Sequence, residues 1–299
     1  MFRGVIVPLV TPFKKNYSVD HDGLKWLTKY LIKEGVNGLF PNSTTGEFVH
    51  LRREEIISLV SIVVEEASGH INILPGVTAN STIEVIDLAK ELLEFDVNGF
   101  VVAPPYYFKY SEDRLKKHFS EIAEKIDKPL ILYNIPATTG VNLSIKLIRD
   151  LATEYSNIAG VKATIDSITY LRRLVQEIKS IRREFSVLTG LDELFLPNLM
   201  IGGDGGIVAL ANIFPRIHVE IYRAWENRDY AKAIARWRDL LELTRIIDVS
   251  SSYSTAVKTA LKLLGAPIEE TSRPPLYEED PETKRVIEDV LKKLNLSIT

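Results

Sequence analysis

The stretch Ile158-Ala159-Gly160-Val161-Lys162-Ala163-Thr164 is a short apolar run that contains one lysine near its end. Its length and its polar flanks are typical of a strand covered on both faces, as in parallel sheets. Lys162 would then lie at the carboxyl end of that strand. Burial favours the neutral form of an amine, which is its nucleophilic form. A lysine whose ammonium group reaches solvent is the alternative for this residue taken alone.

Apolar runs and amphipathic segments alternate on both sides of this stretch. The predicted strands span residues 5–10, 39–41, 71–75, 99–103, 130–133, 158–162, 185–188 and 206–209. The predicted helices span residues 23–34, 53–66, 82–95, 112–126, 144–154, 167–181 and 193–201. About eight strand–helix units predict an α/β protein with a (β/α)8 TIM barrel. A doubly wound open sheet is the alternative, but the first strand lacks the glycine-rich phosphate loop of that fold.

The alternation stops near residue 226. Three helices without intervening strands are predicted beyond it, at residues 229–247, 254–264 and 282–294. We therefore predict a barrel over residues 1–226 and a C-terminal helical region over residues 227–299. The only role that the sequence suggests for this appendage is to cover part of the barrel surface.

Composition excludes some classes of function. The 299 residues are 45% hydrophobic and 26% charged, which is ordinary for a soluble globular protein with a large core. A net charge of -3 leaves no positive excess for nucleic acid or an anionic membrane. Pro8 and Pro12 interrupt the apolar N-terminus, which we interpret as a strand, and we expect a cytoplasmic protein without a membrane span.

Metal and thiol chemistry are not expected. The absence of cysteine excludes disulfides and thiolate catalysis. The five histidines show no metal-ligand spacing and are His21, His50, His70, His118 and His218. A carbonyl substrate would therefore have to be activated by Lys162 as an iminium.

Reactive groups of such barrels lie where the strands meet the following loops. In this chain those positions are Thr44-Thr45-Gly46-Glu47, Thr78, Tyr106-Tyr107, Tyr133, Lys162-Ala163-Thr164, Gly190-Leu191-Asp192-Glu193 and residues 209–212. We expect these groups to converge on one mouth of the barrel.

Two of these positions have an obvious chemical role and an equally simple structural one. Thr44-Thr45-Gly46 combines hydroxyls with a turn of backbone amides, which suits a carboxylate, but it is also typical of a plain turn in which Glu47 bonds locally. Tyr133 ends an apolar strand and is either a packed aromatic ring or, beside a neutral amine, a proton carrier.

Three further segments leave alternatives open. Tyr106-Tyr107 follows two prolines and indicates packing or a subunit contact. Asp192-Glu193 either caps the next helix or faces the mouth. The glycine-rich run at residues 202–206 either seats a phosphate or forms a tight turn into the last strand.

Four motifs together resemble one enzyme family. They are Thr44-Thr45-Gly46-Glu47, Tyr133-Asn134-Ile135-Pro136, Thr139-Gly140 and Gly160-Val161-Lys162. The pattern is similar to that of the dihydrodipicolinate synthase and N-acetylneuraminate lyase family of pyruvate-dependent class I aldolases. The resemblance implies a (β/α)8 barrel with a C-terminal helical region, assembled as a homotetramer.

The resemblance also implies roles for single residues. Lys162 would form a Schiff base with pyruvate, so that no separate cofactor is required. Thr45 and Thr44 would hold the pyruvate carboxylate, and Tyr133 would shuttle protons. Tyr107 would reach into the site of a neighbouring subunit and extend a hydroxyl relay through Thr44.

Departures from the family pattern distinguish its branches. Synthases carry an arginine, which grips a second carboxylate, where this chain has Thr138. Neuraminate lyases share Gly190-x-Asp192-Glu193 and Thr164 but have a serine where this chain has Ala209. Two segments, at residues 105–109 and 162–168, are most similar to 2-keto-3-deoxygluconate aldolases.

The resemblance therefore predicts a substrate that presents hydroxyl groups. Thr164, Asp192 and Glu193 would meet those hydroxyls, and Gly190 and Ile207 would complete the substrate site. The predicted reaction is reversible cleavage of a 2-keto-3-deoxy sugar acid to pyruvate and glyceraldehyde. The partners are then a small keto acid and an aldehyde. The alternatives are condensation of pyruvate with aspartate semialdehyde, cleavage of N-acetylneuraminate, and a non-catalytic binder of keto acids.

Overall fold

Eight parallel strands form one sheet in the computed structural model, which describes residues 1–298. The strands are β1 (Gly4–Pro8), β2 (Gly38–Phe40), β3 (Asn72–Ile73), β4 (Phe100–Val102), β5 (Leu130–Asn134), β6 (Ile158–Ala163), β7 (Ser186–Thr189) and β8 (Gly205–Ile207). They are hydrogen-bonded in the order β3-β2-β1-β8-β7-β6-β5-β4. A parallel bridge between Gly76 and Val101 joins the two edges of the sheet. The predicted eight-stranded parallel barrel is confirmed.

Helices follow the strands along the chain. They are α1 (His21–Lys33), α2 (Arg53–Ala67), α3 (Thr82–Leu92), α4 (Glu112–Lys125), α5 (Pro136–Thr139), α6 (Ile145–Glu154), α7 (Ile168–Ile178), α8 (Phe195–Met200) and α9 (Pro215–Glu226). Helices α1–α8 lie in the connections between successive strands, and α9 follows β8. Alternate strand residues face these helices or the barrel interior, because successive side chains of a strand point to opposite faces. The interior is a separate cluster of eleven buried apolar residues that includes Ile6, Phe40, Tyr133, Leu188 and Ile207.

Strand register brings the two principal candidate residues together. Tyr133 of β5 pairs with Lys162 of β6, and Lys162 pairs in turn with Leu188 of β7. Directly paired residues of neighbouring strands point to the same face of a sheet. Lys162 therefore points into the barrel with Tyr133 and not toward the outer helices.

Three helices follow α9 and have no strands between them. They are α10 (Tyr230–Val249), α11 (Tyr253–Leu263) and α12 (Pro281–Lys293). Helix α10 packs against α8, α9, α11 and α12, and α11 also contacts α12 and the 3-10 turn Ala209–Asn212 after β8. Their buried apolar residues belong to the same hydrophobic cluster as the outer layer of the barrel. The proposed boundary at residues 226/227 stays a prediction.

Several elements differ from the sequence prediction. The helix predicted at residues 193–201 begins at Phe195, and its N-cap is Leu194, which makes no side-chain cap. Helices α5 and α9 were not predicted, although both begin with a proline, which favours the first helical position. Gly205 has a φ of +130° and a Cβ there would lie 2.1 Å from the Gly4 carbonyl oxygen. The glycine-rich run thus forms the tight turn into β8. No helix within residues 1–298 has the length and apolar character needed to cross a bilayer.

Candidate active site

Lys162 lies at the carboxyl end of β6, at the inner end of the barrel mouth, and only 3% of its surface is exposed. Its Nζ is 4.1 Å from the ring centroid of Tyr133 and 5.2 Å from that of Phe40. Within residues 1–298, this nitrogen makes no hydrogen bond and no ion pair. The alternative of a lysine that reaches solvent is therefore wrong.

Burial changes the charge of this amine. Desolvation lowers the pKa of Lys162 to about 7, and the negative charge of Asp192 acts in the opposite direction. The two aromatic rings offer the ammonium only a partial substitute for water. A large share of Lys162 is thus neutral near pH 7, as attack on a carbonyl carbon requires.

The Tyr133 hydroxyl lies beside two threonine hydroxyls. Thr44 Oγ1 donates to the Tyr133 oxygen over 3.5 Å. Burial raises the pKa of Tyr133, and the Thr44 and Thr164 hydroxyls only partly oppose that effect. The phenol therefore stays protonated at neutral pH. Thr164 Oγ1 is buried without a hydrogen-bond partner in the described part of the chain, so that it is available to a bound molecule.

The segment that contains Thr44 and Thr45 is held rigidly after β2. Gly46 N donates to Ser43 Oγ over 3.0 Å, and Thr11 Oγ1 donates to the Gly46 carbonyl oxygen over 2.7 Å. A Cβ at Gly46 would lie 2.7 Å from the Leu9 carbonyl oxygen, so this position requires glycine. Thr45 is buried at the inner end of the mouth.

Gly190 follows β7, and because it has no side chain there is room for those of Lys162 and Thr164. A Cβ at this position would lie 1.9 Å from Thr164 Oγ1 and 3.0 Å from Lys162 Cε. Neither atom can retreat far, because both side chains are packed in the mouth. The glycine predicted as part of the substrate site therefore has a steric role there.

Asp192 does not cap helix α8. It is buried, and its Oδ1 accepts a hydrogen bond from Leu210 N over 3.2 Å. His218 Nε2, from α9, lies 2.9 Å from the same oxygen but not in a hydrogen-bonding orientation. The capping interpretation is thus wrong. The Asp192–His218 contact could not be predicted from sequence, because the two residues lie 26 positions apart in different elements.

Glu193 and Tyr107 lie outside the inner part of the mouth. Glu193 is half-buried, and burial raises its pKa, with further increases from the charges of Asp192, Asp166 and Asp248. Tyr107 is 80% exposed and packs edge-to-face on Phe108. The roles predicted for both residues stay predictions, and that of Tyr107 concerns a neighbouring subunit.

Two connected spaces make up the mouth. The inner chamber, of about 20 Å³, is lined by Pro8, Thr44, Thr45, Tyr133, Ile135, Lys162, Thr164, Gly190, Ile207, Ala209 and Tyr253. The outer chamber, of about 270 Å³, is lined by Phe40, Asn42, Thr44, Phe48, Val49, Thr78, Ala103, Tyr106, Tyr133, Ile135, Thr138 and Thr139. Thr44, Tyr133 and Ile135 line both. Lys162 is the one cationic side chain among these lining residues of the described chain.

Residues 1–298 contain no group of three or more histidine, aspartate or glutamate side chains placed to hold a metal ion. The candidate chemistry rests instead on an amine, a phenol and hydroxyl groups. Fold and site together define an α/β-barrel enzyme whose candidate nucleophile is a buried lysine at the carboxyl end of a strand.

The chain belongs to the dihydrodipicolinate synthetase family, whose model matches residues 1–294. It is 49% identical to an uncharacterized DapA-like lyase of Thermofilum pendens, with 99% of each chain covered. It is 33% identical to YagE of Escherichia coli, a putative 2-dehydro-3-deoxy-D-gluconate aldolase, over 99% of this chain and 98% of that protein. These relatives confirm the family and support its classification among lyases.

Solved structures of relatives agree with the fold. The crystal structure of YagE in complex with pyruvate superimposes with a TM-score of 0.96 at 33% identity and covers 99% of each chain. That of dihydrodipicolinate synthase from Aquifex aeolicus superimposes with a TM-score of 0.94 at 33% identity and covers 100% of each chain.

Proposed function

We propose that this protein is a Schiff-base aldolase that reversibly cleaves a 2-keto-3-deoxy sugar acid, such as 2-keto-3-deoxygluconate, to pyruvate and glyceraldehyde. The observation that carries the proposal is the burial of Lys162 Nζ beside Tyr133, with its pKa lowered to about 7 and no acceptor in contact. Such an amine is a nucleophile at neutral pH. The substrate imine replaces a cofactor.

The reaction would proceed through an iminium and an enamine on Lys162. The Lys162 amine attacks the C2 ketone, and the carbinolamine hydroxyl leaves as water with a proton from the Tyr133 phenol, which leaves an iminium and a tyrosinate. The C4 hydroxyl proton passes to the hydroxyl relay of Tyr133 and Thr44 as the C3–C4 bond breaks, and the bonding electrons move into the iminium to give an enamine. The aldehyde departs, C3 takes a proton, and water then hydrolyses the imine to release pyruvate and the free amine.

Charge in the site favours a substrate whose far end is neutral. Thr44 and Thr45 supply hydroxyls for the pyruvate carboxylate, whereas Asp192 and Glu193 lie on the side of β7. An acidic aldehyde would meet this negative charge without a cation to pair with, since position 138 is a threonine. Sugar hydroxyls, in contrast, donate readily to carboxylates.

Borohydride reduction in the presence of pyruvate tests the proposal directly. We expect a single adduct on Lys162, located by peptide mass spectrometry, because only an imine is reduced to a stable secondary amine. Lys258 is a matched internal control, since it is also fully buried but bonds to Glu47. Absence of an adduct on Lys162, or equal labelling of Lys258, would refute the proposed role.

The synthase reaction is the second candidate, because solved relatives of similar identity are named dihydrodipicolinate synthases. Pyruvate consumption with aspartate semialdehyde should be compared with that with glyceraldehyde. We expect glyceraldehyde to be the better acceptor. A preference for aspartate semialdehyde would favour the synthase, and imine formation without turnover of either aldehyde would favour a keto-acid binder.

Assembly is a separate part of the proposal. We propose a homotetramer in which Tyr107 approaches the site of a neighbouring subunit. Its 80% exposure within one chain agrees with such a contact. Sedimentation analysis and the activity of Tyr107→Phe test this assembly. We expect Tyr107→Phe to be a tetramer with a reduced kcat. A fully active monomer would contradict the proposal.

A further inference from the structure

Tyr253, the first residue of α11, faces the same inner chamber as Lys162. It comes from the C-terminal region, for which the sequence suggested only a covering role. The side chain is half-buried, and its hydroxyl makes no hydrogen bond within residues 1–298. A phenol that is only partly solvated and has no protein partner is a binding group available to a ligand.

The surroundings of Tyr253 determine what it can bind. Burial raises the pKa of its phenol, and the neighbouring Tyr133, Asp192 and Glu193 add to the effect. Tyr253 therefore remains a hydrogen-bond donor at neutral pH. The carboxylates beside it disfavour an anionic group at this position but accept hydrogen bonds from hydroxyls.

The position of Tyr253 is fixed by its neighbours in sequence. Ser252 caps α11 by accepting from Thr255 N over 3.2 Å. Ser254 Oγ donates to Glu47 Oε1 over 2.6 Å, and Glu47 follows directly on the segment Thr44-Thr45-Gly46. The start of α11 is thus tied to the segment that would hold the pyruvate carboxylate. Such preorganisation is what a selective binding group needs.

We infer that Tyr253 is a specificity-determining residue that hydrogen-bonds a hydroxyl of the aldehyde portion of the substrate, next to Asp192. The inference rests on the proposed aldolase function. Its geometric basis is a phenol without a protein partner that lines the inner chamber together with Lys162 and Gly190, and Gly190 lies two residues before the buried Asp192.

The test compares two aldehydes of equal chain length in condensation with pyruvate: glyceraldehyde and propionaldehyde, which lacks the hydroxyls. For Tyr253→Phe we expect the ratio of kcat/KM for glyceraldehyde over propionaldehyde to fall about tenfold, as for loss of one hydrogen bond of about 1.4 kcal/mol. Tyr277→Phe is the matched control, because Tyr277 is a 67% exposed tyrosine of the same region, and its ratio should not change.

Borohydride trapping of pyruvate separates this inference from the aldolase proposal. The inference is supported if Tyr253→Phe still forms the adduct on Lys162 but shows a reduced ratio of kcat/KM for glyceraldehyde over propionaldehyde. An adduct with an unchanged ratio overturns it and leaves the aldolase standing, with Tyr253 as a packing residue. Loss of the adduct in Tyr253→Phe alone also overturns it, because the residue would then act on the keto acid. Failure of the unmodified protein to form an adduct refutes the aldolase itself. A thermal melt of each variant verifies the fold.

Discussion

Glu47 Oε1 and Lys258 Nζ lie 2.5 Å apart, and both side chains are completely buried. The pair joins the segment after β2 to α11. Lys258 also donates to the Thr271 carbonyl oxygen over 2.9 Å, and Arg273 N donates to Glu47 Oε2 over 3.0 Å. Glu47 adopts a left-handed backbone conformation with φ of 59°, which a non-glycine residue holds only when its surroundings impose it. The C-terminal region therefore holds Glu47, the residue that follows the candidate carboxylate segment Thr44-Thr45-Gly46.

Breaking this pair should strongly destabilise the fold. We expect Glu47→Gln or Lys258→Met to lower the free energy of unfolding by about 3–5 kcal/mol, because one buried charge is left uncompensated. The double variant should recover part of that loss. Denaturant unfolding measures all three. The exposed pair Lys146–Asp150 is the control, and Asp150→Asn should cost at most about 0.5 kcal/mol. If Glu47→Gln and Lys258→Met were as stable as Asp150→Asn, the Glu47–Lys258 pair would not be what holds the C-terminal region to the barrel.

The contribution of Glu47 should depend on pH. Burial alone would raise its pKa, but Lys258 and Ser254 outweigh that effect, so that the pKa lies below its ordinary value of 4.5. A carboxyl whose pKa is lower in the folded protein stabilises it above the unfolded value and loses that effect as the pH falls through the folded value. The stability difference between the unmodified protein and Glu47→Gln should thus shrink between pH 5 and pH 3. A difference that is constant over this range would contradict the assignment.

Imine formation should follow the neutral fraction of Lys162. Since its pKa is lowered to about 7, the rate of borohydride trapping at saturating borohydride should rise about tenfold per pH unit below 7 and level off above. Asp192→Asn should shift the rising part of this pH profile to lower pH, because the charge of Asp192 raises the Lys162 pKa. A trapping rate that levels off only near pH 10.5, the ordinary lysine pKa, would mean that the amine is exposed to water.

Loss of the Tyr133 hydroxyl should affect chemistry far more than stability. We expect Tyr133→Phe to reduce kcat by roughly 10²–10⁴-fold, as for removal of a proton carrier. The ring would stay packed edge-to-face on Phe40, so the melting temperature should change little. Steady-state kinetics and a thermal melt provide the two readouts. An unchanged kcat would assign Tyr133 to packing.

A side chain at position 190 should close the inner chamber. Gly190→Ala places a Cβ 1.9 Å from Thr164 Oγ1, and we expect a stability loss of about 1–3 kcal/mol together with loss of pyruvate trapping. The Thr164→Ala variant lacks the clashing oxygen. Gly190→Ala should therefore lower the free energy of unfolding less in that variant than in the unmodified protein. A double-mutant cycle measures this coupling. Additive effects would show that the two residues do not meet.

Periodicity and motifs were enough to predict the barrel and the convergence of its strand ends. Lys162 and Tyr133 could be singled out from sequence because each lies at the end of an apolar run, and Thr44 and Thr45 because they lie in the loop that follows one; parallel strands bring such positions to one edge. Glu193 was grouped with them on the same argument, yet its half-buried side chain does not line the inner chamber. Position in a motif does not specify where a side chain points.

Local patterns of apolar residues were enough to predict the alternation of strands and helices, and with it a lysine at the carboxyl end of a buried strand. Three contacts became visible only in the folded chain: Tyr253 lines the same chamber as Lys162, His218 lies against Asp192, and Glu47 pairs with Lys258. Those contacts join residues up to 211 positions apart. Contacts between distant segments depend on how whole helices pack, which no local pattern of residues encodes.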